Sequence, residues 1–192
     1  VNRPVTKEEF RQRIADNTVL EVLNKVDVHP GDVFFIQSGT IHAIGAGILI
    51  CEIQQNSNCT YRVYDYDRRG ADGKPRELHV EKALAVSNFT PSDTSSHRGP
   101  VMSLAGGTAQ KLGECKYFST QKLQVEEALM LDVDDSSFVS LLVTQGCGKA
   151  CGPENTLEFQ AGDSLFVPAG TGKVALRGEC TLIQTTVPSQ EG

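Results

Sequence analysis

Two stretches of this sequence, GDVFFIQSGTIH from Gly31 and GDSLFVPAGTGK from Gly162, align without a gap 131 positions apart. Each carries Gly-Asp, an apolar run, a small residue and then Gly-Thr. A repeat at a fixed offset constrains architecture more than any other feature here, because it implies one β-rich unit built twice. Gly-Asp supplies a tight turn into a strand, and the second glycine lets the chain turn sharply out of it. The residue after that second turn is expected to point inward. It is His42 in the first copy and Lys173 in the second.

Periodicity around the repeat agrees with a mainly β chain carrying a few flanking helices. Thr6 followed three residues later by Glu9 has the spacing of a capping box, and Phe10, Ile14 and Leu23 recur at helical intervals, so residues 6 to 25 are expected to form a helix. From Val33 the short runs VFFI, ILICEIQ and YRVYDY read as strands between Gly-rich turns. RELHVEKALAV suits a helix on a sheet's flank. The Ser, Thr, Pro and Gly content of SNFTPSDTSSHRGPVMSLAGG marks a linker. Beyond Tyr117, STQKLQVEE, FVSLLVTQ, TLEF, SLFV, KVALR and CTLIQTTV come at the close spacing of a sandwich or barrel. The expected divisions are a first domain over 1–87, a linker over 88–110 and a second domain over 111–192.

Composition removes several functions. A net charge of −6 provides no basic footprint for a phosphate backbone, so nucleic acid is not an expected partner. No run approaches the ~18 apolar residues of a membrane span, and no secretory leader is visible, so a cytoplasmic protein without a membrane partner is expected. The six cysteines lack paired C-x-x-C knuckles and read as reduced thiols. Cys147 and Cys151 bracket a Gly-rich turn, but further zinc ligands are not nearby in sequence.

The pattern Gly, five residues, Pro, one residue, Gly, two residues, His resembles the second motif of the cupins, double-sheet β-barrels that bind metal at the barrel mouth. The second copy keeps Pro168 and has Lys173 in place of the His; the first keeps His42 and has Gln37 in place of the Pro. The string CEIQQNSNCTYRVYDYDRRGADGKPRELHVEKAL after His42 is similar to the class I mannose-6-phosphate isomerases in the form common in low-GC Gram-positive bacteria. The resemblance covers nearly the whole chain and implies two cupin-type jelly rolls. It also implies interconversion of mannose 6-phosphate and fructose 6-phosphate through a zinc-assisted cis-enediol, with a small sugar phosphate as partner and a monomer as the expected state.

In that family a zinc-binding His precedes an acidic strand residue and then an Arg, each ten positions on; here these are His42, Glu52 and Arg62. Imidazole suits zinc. Guanidinium stays charged and can donate to a phosphate or an enediolate oxygen. Glu52 lies in an apolar run, where an unpaired carboxylate is costly to bury, so a role near metal or substrate as base or supporting partner is expected. Lys173 opposes metal binding, which makes the second barrel structural. His29, His79 and His97 are expected to do no chemistry. Asp65, Asp67, Arg68 and Arg69 read as a solvated hairpin end, which the resemblance puts near the active-site mouth.

One departure matters. The family's other zinc ligands come from an upstream Gln-x-His strand and a later Glu, and no Gln-x-His occurs here. The resemblance therefore implies that residue 1 falls inside a longer parent and that this chain alone is inactive. A competing reading is a non-catalytic cupin module that binds a sugar or a protein partner. A sensor fused to a DNA-binding helix pair fits less well, because no such pair follows the second copy.

Overall fold

At the start of the chain the Thr6 hydroxyl accepts a hydrogen bond from the Glu9 amide at 3.1 Å and opens helix α1, Lys7–Ala15. The Glu9 carboxylate does not close the box; it pairs with Arg3 and Arg13. The helix is shorter than its apolar spacing suggests. Asn17 adopts a left-handed φ of 58°, its N–H donates to the Ile14 carbonyl at 3.2 Å, and the Thr18 N–H donates back to Arg13 at 2.8 Å. This pair of bonds satisfies the last carbonyls and ends the helix, and Val19–Val22 continues as one 3₁₀ turn. The computed structural model describes residues 1–57, 59–66 and 68–188, and divides the chain into two compact units, Val1–Ser96 and His97–Gly192.

In the first unit, Val1, Val5, Phe10, Val19, Val22 and Leu84 form a buried cluster, with Phe10 and Phe89 packed at 5.3 Å between ring centroids. Leu84 comes from helix α2, Val80–Val86, so the helix expected over RELHVEKALAV begins four residues late. Residues 76–79 stay non-helical, and the His79 amide donates to the Arg62 carbonyl at 2.7 Å. The larger correction concerns strands. Among the described residues of this unit, VFFI, ILICEIQ and YRVYDY are not assigned to any strand, and only an isolated Arg69–Pro75 bridge is present. A strand exists by virtue of a ladder to a neighbour, and β propensity without that neighbour leaves irregular chain. Two separate jelly rolls are thus not seen.

The second unit is all antiparallel sheet. Its strands are β1 Val101–Leu104, β2 Gly107–Glu114, β3 Ser119–Val125, β4 Ala128–Val133, β5 Val139–Cys151, β6 Thr156–Gln160, β7 Ser164–Val167, β8 Gly172–Arg177 and β9 Cys180–Thr186. The order is β1-β2-β3-β9-β5-β8-β4, with β6 and β7 also on β5. β5 joins two layers: its first half pairs with β9 and β7, its second with β6 and β8. The change of partner follows a bulge between Val143 and Gln145, and Gly146 sits there at φ 76° with the Glu179 carbonyl oxygen 2.1 Å from where a Cβ would stand. Only glycine fits. Alternate residues face inward, with Leu123, Leu141, Leu176 and Leu182 fully buried at the centre. The architecture is mainly β and cupin-like. β1 and the start of β2 lie within the stretch that reads as linker.

The repeat survives at its turns. Gly31 and Gly162 have φ of 91° and 97°. The Asp32 amide donates to His29 and the Asp163 amide to Gln160, both at 3.0 Å, and the two aspartate carboxylates accept from those same residues' amides at 2.8 Å. The second turns also match: Gly39 and Gly170 have φ of 84° and 74°, and the amides of Thr40 and Thr171 donate to Gln37 and Pro168.

Candidate functional site

The second turn of the first copy delivers His42. Its Nδ1 lies 2.8 Å from the Thr40 carbonyl oxygen. A carbonyl only accepts, so Nδ1 carries the proton, and in the neutral form of the ring the lone pair lies at Nε2. A metal-binding imidazole is ordinarily oriented by this kind of bond to a backbone carbonyl. His42 is exposed and its Nε2 has the chemistry of a ligand. One imidazole is not a site, however, and no group of three or more His, Cys, Asp or Glu able to hold a metal ion exists among the described residues. The donor set among the described residues does not complete a zinc site.

Glu52 is exposed, within a stretch where Ile48, Leu49 and Ile50 are also exposed, Leu49 at 99%. The expectation that burial constrains this carboxylate is therefore wrong: with no sheet formed around it, the segment buries little. Among the described residues no hydrogen bond or ion pair joins His42, Glu52 and Arg62.

Arg62 is the best-held of the three. Its side chain is 22% exposed, Nη1 donates to the Glu77 carbonyl at 3.0 Å, and Nε lies 3.9 Å from Asp65 Oδ1. Its backbone is bound to His79 in both directions: the His79 N–H donates to the Arg62 carbonyl at 2.7 Å, and the Arg62 N–H donates to His79 Nδ1 at 3.2 Å. His79, expected inside a helix, instead caps α2.

Asp65 corrects the reading of a solvated hairpin end. It is 8% exposed, and besides Arg62 its Oδ1 meets Arg68 Nη2 at 2.8 Å and Arg76 Nη1 at 3.5 Å. Arg68 also lies over the Tyr66 ring, 5.6 Å from its centroid. Arg69 points elsewhere, to the Gly73 carbonyl; Asp67 lies outside the described residues. A signal for this cluster was present in the sequence, one Asp three residues from an Arg on either side, but charge spacing alone reads equally well as surface.

The remaining candidates sort plainly. His29 is exposed in its turn, with Nδ1 3.8 Å from Asp32. Lys173 is exposed on β8 opposite Asp132 of β4, with nothing of a metal site about it. All six cysteines are free thiols. Burial, with a smaller contribution from Cys147, pushes the Cys180 thiol up from its ordinary range, toward the inert side. No helix among the described residues is long and apolar enough to cross a membrane.

Comparison with known proteins adds the following. The cupin-domain family of mannose-6-phosphate isomerase matches residues 108–187. Mannose-6-phosphate isomerase ManA of Bacillus subtilis (strain 168) is 40% identical over 91% of this chain and 56% of its own length. The mannose-6-phosphate isomerase of Streptococcus mutans is 34% identical over 85% of this chain and 51% of its own. The crystal structure of the mannose 6-phosphate isomerase from Bacillus subtilis superposes with a TM-score of 0.86 at 33% identity, covering 95% of this chain and 58% of that one. The chain spans a little over half the length of the relatives it matches.

Proposed function

Because the chain belongs, over the part of their length that it spans, with the mannose-6-phosphate isomerases of the cupin superfamily, we propose that it forms part of an enzyme interconverting mannose 6-phosphate and fructose 6-phosphate. Moving a proton between adjacent carbons through a cis-enediol needs a base for the carbon acid and donors for the enediolate oxygen. Arg62 takes the second role, its tethered guanidinium keeping Nη2 available to a developing negative oxygen. Glu52 is the candidate base or supporting carboxylate. His42 contributes one zinc ligand through Nε2. One imidazole does not hold zinc, so no step is assigned to metal on this chain, and the 192-residue chain alone is inactive.

The observation that carries this reading is Arg62, 22% exposed and held by carbonyl and carboxylate, in a chain 40% identical to a named isomerase. The Lys173 barrel, without a ligand at the His position, suits a non-catalytic binding module instead, and assay separates the two. In the complete gene product, Arg62→Ala is expected to lower kcat and kcat/KM together by ~10²-fold or more, as loss of an oxyanion donor does. A KM rise alone would assign Arg62 to phosphate binding, and a complete gene product with no isomerase activity would favour the binding module. The dialysed 192-residue chain is expected to hold well under one zinc per molecule by elemental analysis; stoichiometric zinc would show that its own residues complete a site.

A further inference from the structure

We propose that Asp65 and His79 are positioning residues that hold Arg62 ready for the reaction, an inference that rests on the assignment of Arg62 to the enediolate. An arginine side chain loses rotamer entropy when it is fixed. A guanidinium fixed beforehand does not lose it at the transition state.

His79 restrains the backbone. Its amide and its Nδ1 bind the carbonyl and amide of Arg62, at 2.7 and 3.2 Å. To accept at Nδ1 the ring carries its proton on Nε2. His79 occupies the N-cap of α2, yet its side chain makes no capping bond to that helix. Ser, Thr, Asp or Asn would ordinarily cap here, so the ring forgoes a local stabilisation and serves Arg62 instead.

Asp65 restrains the side chain. It is the one buried carboxylate among the described residues, and burying a charge is expensive unless it is paired. Three guanidinium groups supply the pairing, and Arg62 is the most buried of them, at 22% against 51% for Arg76 and 63% for Arg68. At 3.9 Å from Oδ1, Arg62 is held to Asp65 by charge rather than by a hydrogen bond; Nη1 is engaged by the Glu77 carbonyl, which leaves Nη2 for a ligand. Asp65 Oδ2 accepts no hydrogen bond from any described residue. The carboxylate is buried for the charge it places among the arginines rather than to complete a network.

The test is steady-state kinetics on the complete gene product carrying Asp65→Asn, Arg62→Ala and both. Asp65→Asn keeps the shape and removes the charge. It is expected to lower kcat by about 10²-fold, the scale of a misplaced catalytic group, with little change in KM. In the Arg62→Ala background it is expected to add nothing, because two residues acting as a unit are not additive. His79→Asn, whose Oδ1 replaces the Nδ1 acceptor, is expected to retain activity that His79→Leu loses, and this pair decides the matter if Asp65→Asn fails to fold. An unchanged kcat in Asp65→Asn, the same loss with and without Arg62, or equal activity of the two His79 variants would overturn the proposal. Unchanged kinetics in Arg62→Ala would instead overturn the catalytic assignment of Arg62, and this inference with it.

Discussion

The two Gly-Asp turns close with the same hydrogen bonds, and the chain that leaves them does not meet the same fate. Ser164–Val167 pairs with Val139 to Leu142 as a strand of a sheet, while residues 33–36, the corresponding run, are assigned to no strand. The side chains record the difference: Val167 is 9% exposed, and its counterpart Ile36 is 48% exposed. A turn is complete within about four residues, so a matching sequence rebuilds it anywhere. A strand needs a neighbour from elsewhere in the chain, and β5 provides one only in the second unit.

Truncation in the core sharpens this contrast most. Leu141→Ala, fully buried on β5, is expected to cost ~2–5 kcal/mol in denaturant unfolding. Leu49→Ala, 99% exposed in the first unit, is expected to change stability by less than about 0.5 kcal/mol. A large loss at Leu49 would mean that the segment packs against something, and the contrast between the units would fail. Next come the turns. Asp32→Ala and Asp163→Ala each remove one side-chain acceptor from an amide at 2.8 Å, and each is expected to cost about 0.5–1.5 kcal/mol. Equal losses would show that the turns are autonomous; a clearly greater loss at Asp163 would show that the sheet strengthens its own turn.

The smallest effect is electrostatic. Hydrogen bonds from Arg3, then Arg13, hold the Glu9 carboxyl down to about 2. A carboxyl depressed on folding adds stability above its unfolded value, near 4.3, and that stability is lost as pH falls toward 2. Glu9→Gln is therefore expected to be slightly less stable than the parent at pH 6 and to match it near pH 2, when unfolding of the first unit is followed by circular dichroism. The groups remain partly open to solvent, so the difference is small and shrinks with salt. A difference that persisted at pH 2 would assign the effect to packing.

Much of the second unit was legible because burial there alternates as the sequence does, in β5 as in FVSLLV. Three strands were not. β1 and β2 run through VMSLAGGTAQKLGE, whose Ser, Thr and Gly read as linker, and pairing with β3 makes β2 a strand. β4, ALMLDV, is built of good helix formers and is a strand because β8 lies alongside it. Within the candidate site, His42 and Arg62 were singled out through their spacing in a resemblance to a known family. The burial of Asp65 was not, because a carboxylate between arginines has the same sequence whether it faces water or a core.

By itself the sequence determined what closes over a few residues: the Thr6 cap, both pairs of repeat turns, and the Nδ1 bond that aims His42. These depend on bonds within about four positions, and residue identity is enough to specify them. Tertiary structure alone decided which apolar runs became strands, where α2 begins, and that Asp65 and His79 converge on Arg62. Each of those outcomes requires a partner brought from a distant position or a particular degree of burial. Local sequence encodes the capacity for such contacts, and only the folded chain supplies the neighbour that realises them.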